Sequence, residues 1–225
     1  MRMTPMEYLD IDTPLQKRFP ELAAQIVRFK DVNVKLEDPS LEEYKNRVFE
    51  EVHNRWNIEE LRDYPTFRAY RDFFWNLGID PTKNRPASEA LIRRVLRGRA
   101  IPKINTWVDS YNLVSILTAV PMASFDLDLL EGELFMRDAE YGEKFLGIGM
   151  DKPVILSGGE AVIQDDKRLV AIYPYRDADY SKVTLKTEKI LMLMCGAPNI
   201  TKDKLEESAK EARRILPRFC GGKVE

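Results

Sequence analysis

The spacing of apolar residues changes period near Val120, from helical to alternating, and this change most limits the architectures open to the chain. Upstream, Leu41, Tyr44, Val48, Val52 and Trp56 recur at helical intervals behind Ser40, the predicted N-cap. "PTFRAYRDFFWNLG" is a second predicted helix, stopped by Gly78, and "IDPTKNRP" a turn-rich connection. A third helix carries Leu91, Ile92, Val95 and Leu96 on one face and ends at Gly98. "INTWVDSYNLVSILT" is apolar around most of its circumference and reads as a buried helix. Before them, "QIVRFKDVNVKL" reads as two short strands or one kinked strand. Downstream lie the short strand-like segments "MASFDL", "ELFMRDA", "KPVIL", "AVIQDDKRLVAIYPYR" and "EKILMLMC", with a hairpin turning at Asp165-Asp166. "TKDKLEESAKEARRILPRF" is an amphipathic helix with Thr201 as N-cap and Leu205, Ala209, Ala212, Ile215 and Leu216 inward. Helices first and a largely antiparallel sheet after give an expected α+β fold.

At 225 residues, 44% of them hydrophobic, the chain can bury one sizeable core. No apolar run approaches the ~18–20 residues of a membrane span, and "MRMTPMEYLDIDTP" lacks a signal peptide's apolar centre, so a cytoplasmic protein is expected, with no membrane partner. The two cysteines, Cys195 and Cys220, and one histidine, His53, show no metal-ligand spacing. Phosphate-loop, dinucleotide-binding and GxSxG motifs are absent, so neither metal nor cofactor is expected. His53 reads as a structural or exposed helical residue. Cys195, at the end of an apolar strand, is a poor candidate nucleophile.

Charge is unevenly placed. The chain has 35 Lys+Arg against 37 Asp+Glu, yet "KNRPASEALIRRVLRGR" holds six basic side chains and one carboxylate. Arg93, Arg94 and Arg97 lie opposite the helix's apolar face, and Arg85, Arg99 and Lys103 extend the charge beyond its ends. Two readings stand: a solvated surface, or a face for a polyanion such as RNA. In the buried helix, Asn105, Asp109 and Asn112 fall on one side at i, i+4 and i+7. They either cap neighbouring backbone or face a ligand pocket, since a buried polar group left unpaired costs about 1–3 kcal/mol.

The residues from "RPASEALIRRVLRGR" to "EYGEKF" resemble the B3/B4 domain of the phenylalanyl-tRNA synthetase β subunit, and still more its freestanding relatives. The family text "hVDhTNhhhhxxGxPhHxFDhxxhxGxhhhRxAxxGE", with h apolar, is matched by Val108-Asp109, Asn112, Pro121, Phe125-Asp126, Gly132, Arg137, Ala139 and Gly142-Glu143. "SKVTLKTEKILML" continues the match, which spans residues 85–197. The resemblance implies α+β architecture, with N-terminal helices and a largely antiparallel, barrel-like sheet. It divides the chain into an N-terminal elaboration (1–84), a tRNA-binding domain (85–200) and a C-terminal helix (201–225).

The family recognises aminoacyl-tRNA, and in the synthetase it hydrolyses tyrosine wrongly attached to tRNA for phenylalanine. Several of its site positions differ here. The family histidine is Ala123, the glutamate closing its "hhLE" is Leu193, its threonine is Tyr111, and its "GVMGG" loop is "PYRDA". Asn112 alone remains from the polar site. The expectation is a freestanding tRNA-binding protein that hydrolyses a mischarged aminoacyl ester in trans, without DNA as a partner. The alternative is a non-catalytic module for RNA or a small molecule. Asn112 would position water or substrate, with Asp109 and Asn105 orienting it. Tyr111, Pro121, Ala123, Phe125, Tyr173, Tyr175, Arg176 and Leu193 would line a pocket for the aminoacyl group or a small amino acid. Arg85, Arg93, Arg94, Arg97, Arg99 and Lys103 would meet RNA.

Overall fold

Ile190–Cys195 is apolar at every position because both of its faces are covered. In the computed structural model, which describes residues 6–225, this strand (β11) is flanked by two others. One is β3 (Ala24–Val32), antiparallel to it from Ile190↔Phe29 to Cys195↔Ala24. The other is β4 (Met122–Asp126), antiparallel from Ile190↔Asp126 to Met194↔Met122. The short strands β1 (Glu7–Tyr8) and β12 (Gly221–Val224) pair with β3 and complete a five-stranded sheet. The chain therefore draws its main sheet from both ends, and the helices-first order seen in the sequence is not the order in space. The "MRMTP" part of the N-terminal reading lies outside the described residues.

A second five-stranded sheet runs β10 (Arg176–Asp177), β9 (Leu169–Ile172), β8 (Ala161–Gln164), β5 (Phe135–Asp138), β2 (Asp10–Ile11). Only β2 joins it in parallel. A hairpin of β6 (Lys144–Phe145) and β7 (Val154–Ile155) stands apart from both sheets. The barrel-like closure expected from the resemblance is thus corrected: both sheets are open among the described residues. The outer edge of β4 is occupied instead by irregular chain, with a Phe125↔Lys182 bridge and Asp126 N donating to the Ser181 carbonyl. A covered edge has no free donors left for another sheet.

The helices are α1 (Thr13–Arg18), α2 (Pro39–Arg55), α3 (Pro65–Asn76), α4 (Ala87–Leu96), α5 (Thr106–Thr118) and α6 (Lys202–Cys220). α2 starts two residues earlier than its spacing implied. Asp38, not Ser40, is the N-cap, its carboxylate accepting from Ser40 N at 2.9 Å. Pro39 decides this, because it has no N–H to satisfy and its fixed φ suits the first helical position. Thr201 caps α6 as expected, accepting from Lys204 N at 3.2 Å. α5 packs on α6, and α6 on β3, so the apolar helix lies over the main sheet. Trp107 is fully buried there, edge-on to Phe29 at 5.0 Å and donating to the Ser124 hydroxyl at 3.1 Å. Among the described residues no helix is long and apolar enough to cross a membrane.

Candidate functional site

A cavity of about 180 Å3 opens where α5, the ends of β4 and β11, and the β8–β9–β10 strands meet. α5 reaches it because Asn105 starts the helix, its Oδ1 accepting from Val108 N at 2.9 Å. Ala119, at φ 59°, stops the helix and turns the chain through Pro121 into β4. Tyr111 and Asn112 from α5, Pro121 before β4, and Met122 and Ala123 from β4 form one side. Among the described residues the Asn112 side chain makes no hydrogen bond, so its amide is available to a ligand.

The remaining wall is the β9–β10 turn. Tyr173 is buried and donates its hydroxyl to the Gly196 carbonyl at 2.6 Å, while Tyr70 donates to the Cys195 carbonyl at 2.7 Å. The first bond ties the end of β11 to the turn after β9, and the second ties it to α3. Tyr175 N donates to the Ile172 carbonyl, which closes the turn. The Arg176 guanidinium donates to the Ile148 carbonyl at 3.0 Å and lies 5.2 Å from the Tyr175 ring centre. Asp177 follows, partly buried, and burial pushes its carboxyl up to about 7 from the ordinary 3.8. Burial foremost, and then the Asp177 charge, also raise the Tyr111 hydroxyl and the Cys195 thiol. Cys195 is therefore a protonated thiol at the cavity wall and no ready nucleophile.

The structure brings Asn112, Tyr111, Pro121, Ala123, Tyr173, Tyr175 and Arg176 together. It does not bring in the other four expected residues. Asp109 is 2% exposed and paired with buried Lys45 at 3.4 Å, while accepting from Ile104 N at 2.9 Å. Asn105 is committed to its cap and to the Val183 carbonyl. Neither touches Asn112, so the polar stripe divides: two members serve the scaffold and one faces the cavity. The reason is distance along the axis, since seven residues of helix separate Asn105 from Asn112 by about 10 Å, while Lys45 of α2 takes up Asp109. Phe125 and Leu193 are fully buried and do not line the cavity, because one lies deeper along β4 and the other on the central strand. Asp177 is the ionisable cavity residue that sequence reasoning passed over, and Cys195, weighed there only as a nucleophile, also lines the cavity. An aspartate in a chain 32% charged gives no signal of its own, although "PYRDA" marked the place.

The basic side chains gather around a second concavity of about 280 Å3, lined by Lys83, Arg85, Arg93, Arg94, Arg97 and Arg99. They are not equivalent. Arg93 pairs at 2.7 Å with Glu89, which is fully buried and also held by Arg71 at 3.2 Å. Arg94 donates twice to the Ala100 carbonyl, at 3.0 and 2.9 Å, and so closes the helix end. Lys103 leaves the group altogether, paired with Glu37 at 2.8 Å. Arg85, Arg97 and Arg99 are exposed and have no acidic partner among the described residues. His53 is exposed on α2, and Cys220 is buried at the end of α6, away from the cavity.

The model of the B3/4 domain matches residues 69–220. The chain belongs to the B3/4 domain family. That match runs from α3 to the last residue of α6 and takes in both the cavity and the basic helix. Among curated proteins, the phenylalanine–tRNA ligase beta subunit of Francisella tularensis is 35% identical over 97 residues, 43% of this chain and 12% of that protein. The corresponding subunit of Mycoplasma genitalium is 30% identical over 89 residues, 40% of this chain and 11% of that protein. The matched stretch thus spans little more than a tenth of these relatives. An N-terminal fragment of the phenylalanyl-tRNA synthetase beta subunit from Pyrococcus horikoshii aligns with 99% of this chain and 53% of its own, at 12% identity and a TM-score of 0.49.

In this B3/4 domain, most residues that carry the family pattern hold the fold. Arg137 donates twice to the Glu143 carboxylate, at 2.9 and 2.6 Å, and Glu140 N donates to the same group. Asp126 accepts from the Thr187 hydroxyl at 2.6 Å, tying β4 to the segment before β11. Gly132 has φ +78°, and a Cβ there would run into the Asp166 carboxylate. Of the pattern residues, Asn112 and Pro121 line the cavity.

Proposed function

We propose that this B3/4 domain recognises the aminoacyl end of a charged tRNA. The amino acid enters the cavity beside Asn112, and the nucleic-acid backbone lies along Arg85, Arg97 and Arg99 at the ends of α4. One observation carries the reading: α4 joins the two features. Its first residue, Ala87, lines the cavity, and the basic concavity runs along the same helix and past both of its ends, from Arg85 to Arg99. The ten residues of α4, Ala87 to Leu96, cover about 15 Å, the scale of a few nucleotides. With an overall net charge of −2, the attraction is local and is easily screened.

Ester hydrolysis in trans follows if the Asn112 amide orients the attacking water or the carbonyl oxygen. Water adds to the carbonyl carbon, the carbon–oxygen bond to the ribose breaks, and a proton returns to the ribose oxygen. The neighbouring ribose hydroxyl is available as an internal assistant, so the demand on the protein is mainly positioning. The test is release of amino acid from a panel of correctly and wrongly charged tRNAs, with Asn112→Ala beside the wild type. Selective release that the variant loses supports hydrolysis. No release from any member, with charged tRNA still bound, leaves recognition without chemistry.

That second reading has its own support. Ala123 and Leu193, at the positions where the resemblance places a histidine and a glutamate, cannot transfer a proton.

A further inference from the structure

We propose that Asp177 anchors the ammonium group of the amino-acid ligand in this cavity, a proposal that rests on the aminoacyl reading above. The cavity is lined by two side chains that ionise readily, Arg176 and Asp177. Arg176 is occupied, with one nitrogen on the Ile148 carbonyl at 3.0 Å and its guanidinium beside the Tyr175 ring. Asp177 has its backbone carbonyl engaged by Ile148 N at 2.9 Å, but its carboxylate has neither a hydrogen bond nor an ion pair among the described residues. A partly buried carboxylate left without a partner is costly to ionise, and a ligand cation relieves that cost directly.

The groups around it do not supply a cation of their own. Tyr111 faces it from α5, Cys195 from β11, and Tyr173 and Tyr175 from the turn before β10. All four are neutral donors, and burial holds Tyr111, Tyr173 and Cys195 in their protonated forms. The carboxyl at about 7 is then ionised in the range where an α-amino group, with pKa about 7.7–8.0, is still protonated. In an aminoacyl ester the ammonium and the carbonyl are one carbon apart. A carboxylate on β10 and an amide on α5 therefore address its two polar ends, one negative group for the cation and one donor for the carbonyl oxygen. The cavity's small volume, about 180 Å3, leaves room for an amino acid and little else.

The full chain is titrated by calorimetry with alaninamide and phenylalaninamide and with their N-acetyl counterparts, which keep the size and carbonyl but lose the cation. The expected result is binding of at least one free-amine probe and about tenfold weaker binding of its acetylated form, with Asp177→Asn abolishing that difference. The acetyl comparison uses wild-type protein and does not depend on the variant folding. Equal binding of free and acetylated probes overturns the anchor and leaves the aminoacyl reading standing. So does an Asp177→Asn protein that binds the amine like wild type but loses ester release, which would make Asp177 a proton acceptor. If neither probe binds and charged tRNA is held no better than uncharged tRNA, the anchor and the aminoacyl reading fall together.

Discussion

Ala123 on β4 and Leu193 on β11 are register partners, directly opposite one another in the antiparallel ladder. Opposed residues share a face with Cβ atoms about 5 Å apart. The two positions at which the family resemblance places a histidine and a glutamate are therefore one spatial unit, and here both members are apolar. Neither side chain can transfer a proton. Whatever this domain does with an ester, it does not do it with a proton-transferring pair on β4 and β11.

Putting the pair back is expected to be costly and non-additive. Leu193 is fully buried on the central strand, so Leu193→Glu strands a carboxylate and should cost about 3 kcal/mol or more. Adding Ala123→His should recover on the order of 1 kcal/mol through the direct cross-strand contact. Urea denaturation of both single variants and the double variant measures this. Strict additivity would mean that the two side chains do not meet.

Asn112 and Asp109 lie three residues apart on one helix and should behave oppositely. Asn112→Ala removes no bond within the protein and should change stability by less than about 1 kcal/mol while weakening aminoacyl binding or release at least tenfold. Asp109→Ala leaves buried Lys45 with only Glu42, at 3.0 Å, and should cost about 3–5 kcal/mol. Below its melting transition the Asp109 variant should still bind. Thermal melts and ligand titration on the same samples separate the two, and an Asn112 variant as unstable as the Asp109 variant would assign Asn112 to the scaffold.

The basic residues should divide in the same manner. Charge reversal of Arg85, Arg97 and Arg99 should lower tRNA affinity and reduce the salt slope by about 0.7–0.9 per lost phosphate contact. Lys103→Glu should leave that slope unchanged, since Glu37 already neutralises Lys103. Arg93→Ala should act on stability through buried Glu89, which would retain Arg71 as its partner. Affinity measured over a range of salt concentrations decides, and equal slopes for wild type and the triple reversal would remove α4 from the interface.

Asp177 makes the fold's stability fall with pH in a defined window. Its carboxyl is raised from 3.8 to about 7 by burial, so the folded state prefers the protonated form. The stability it lends is complete below about pH 4 and is lost as pH rises through about 7. Asp177→Asn, which stays neutral, should therefore raise the melting temperature at pH 8 and change it little at pH 4. A variant destabilised equally at both pH values would show that the carboxylate has a partner in the folded protein.

Local order was open to sequence reasoning because it depends on neighbours in the chain. The period of the apolar residues located α2 to α6 and the strands after Val120, and Thr201 and Gly98 marked helix ends through their own backbone chemistry. Half of the cavity was also open, since Asn112, Tyr111 and the tyrosines of the "YPYR" stretch fall in a family pattern with fixed spacing. Long-range pairing was not. That β3 from the N-terminal segment lies beside β11, that the sheets stay open, and that Lys45 takes Asp109 out of the site all depend on residues 60 or more positions apart. Asp177 shows the difference most clearly. Its sequence neighbours say only that a charge is present, and it takes the packing of α5, β10 and β11 to place that carboxyl in the cavity wall, where burial raises it.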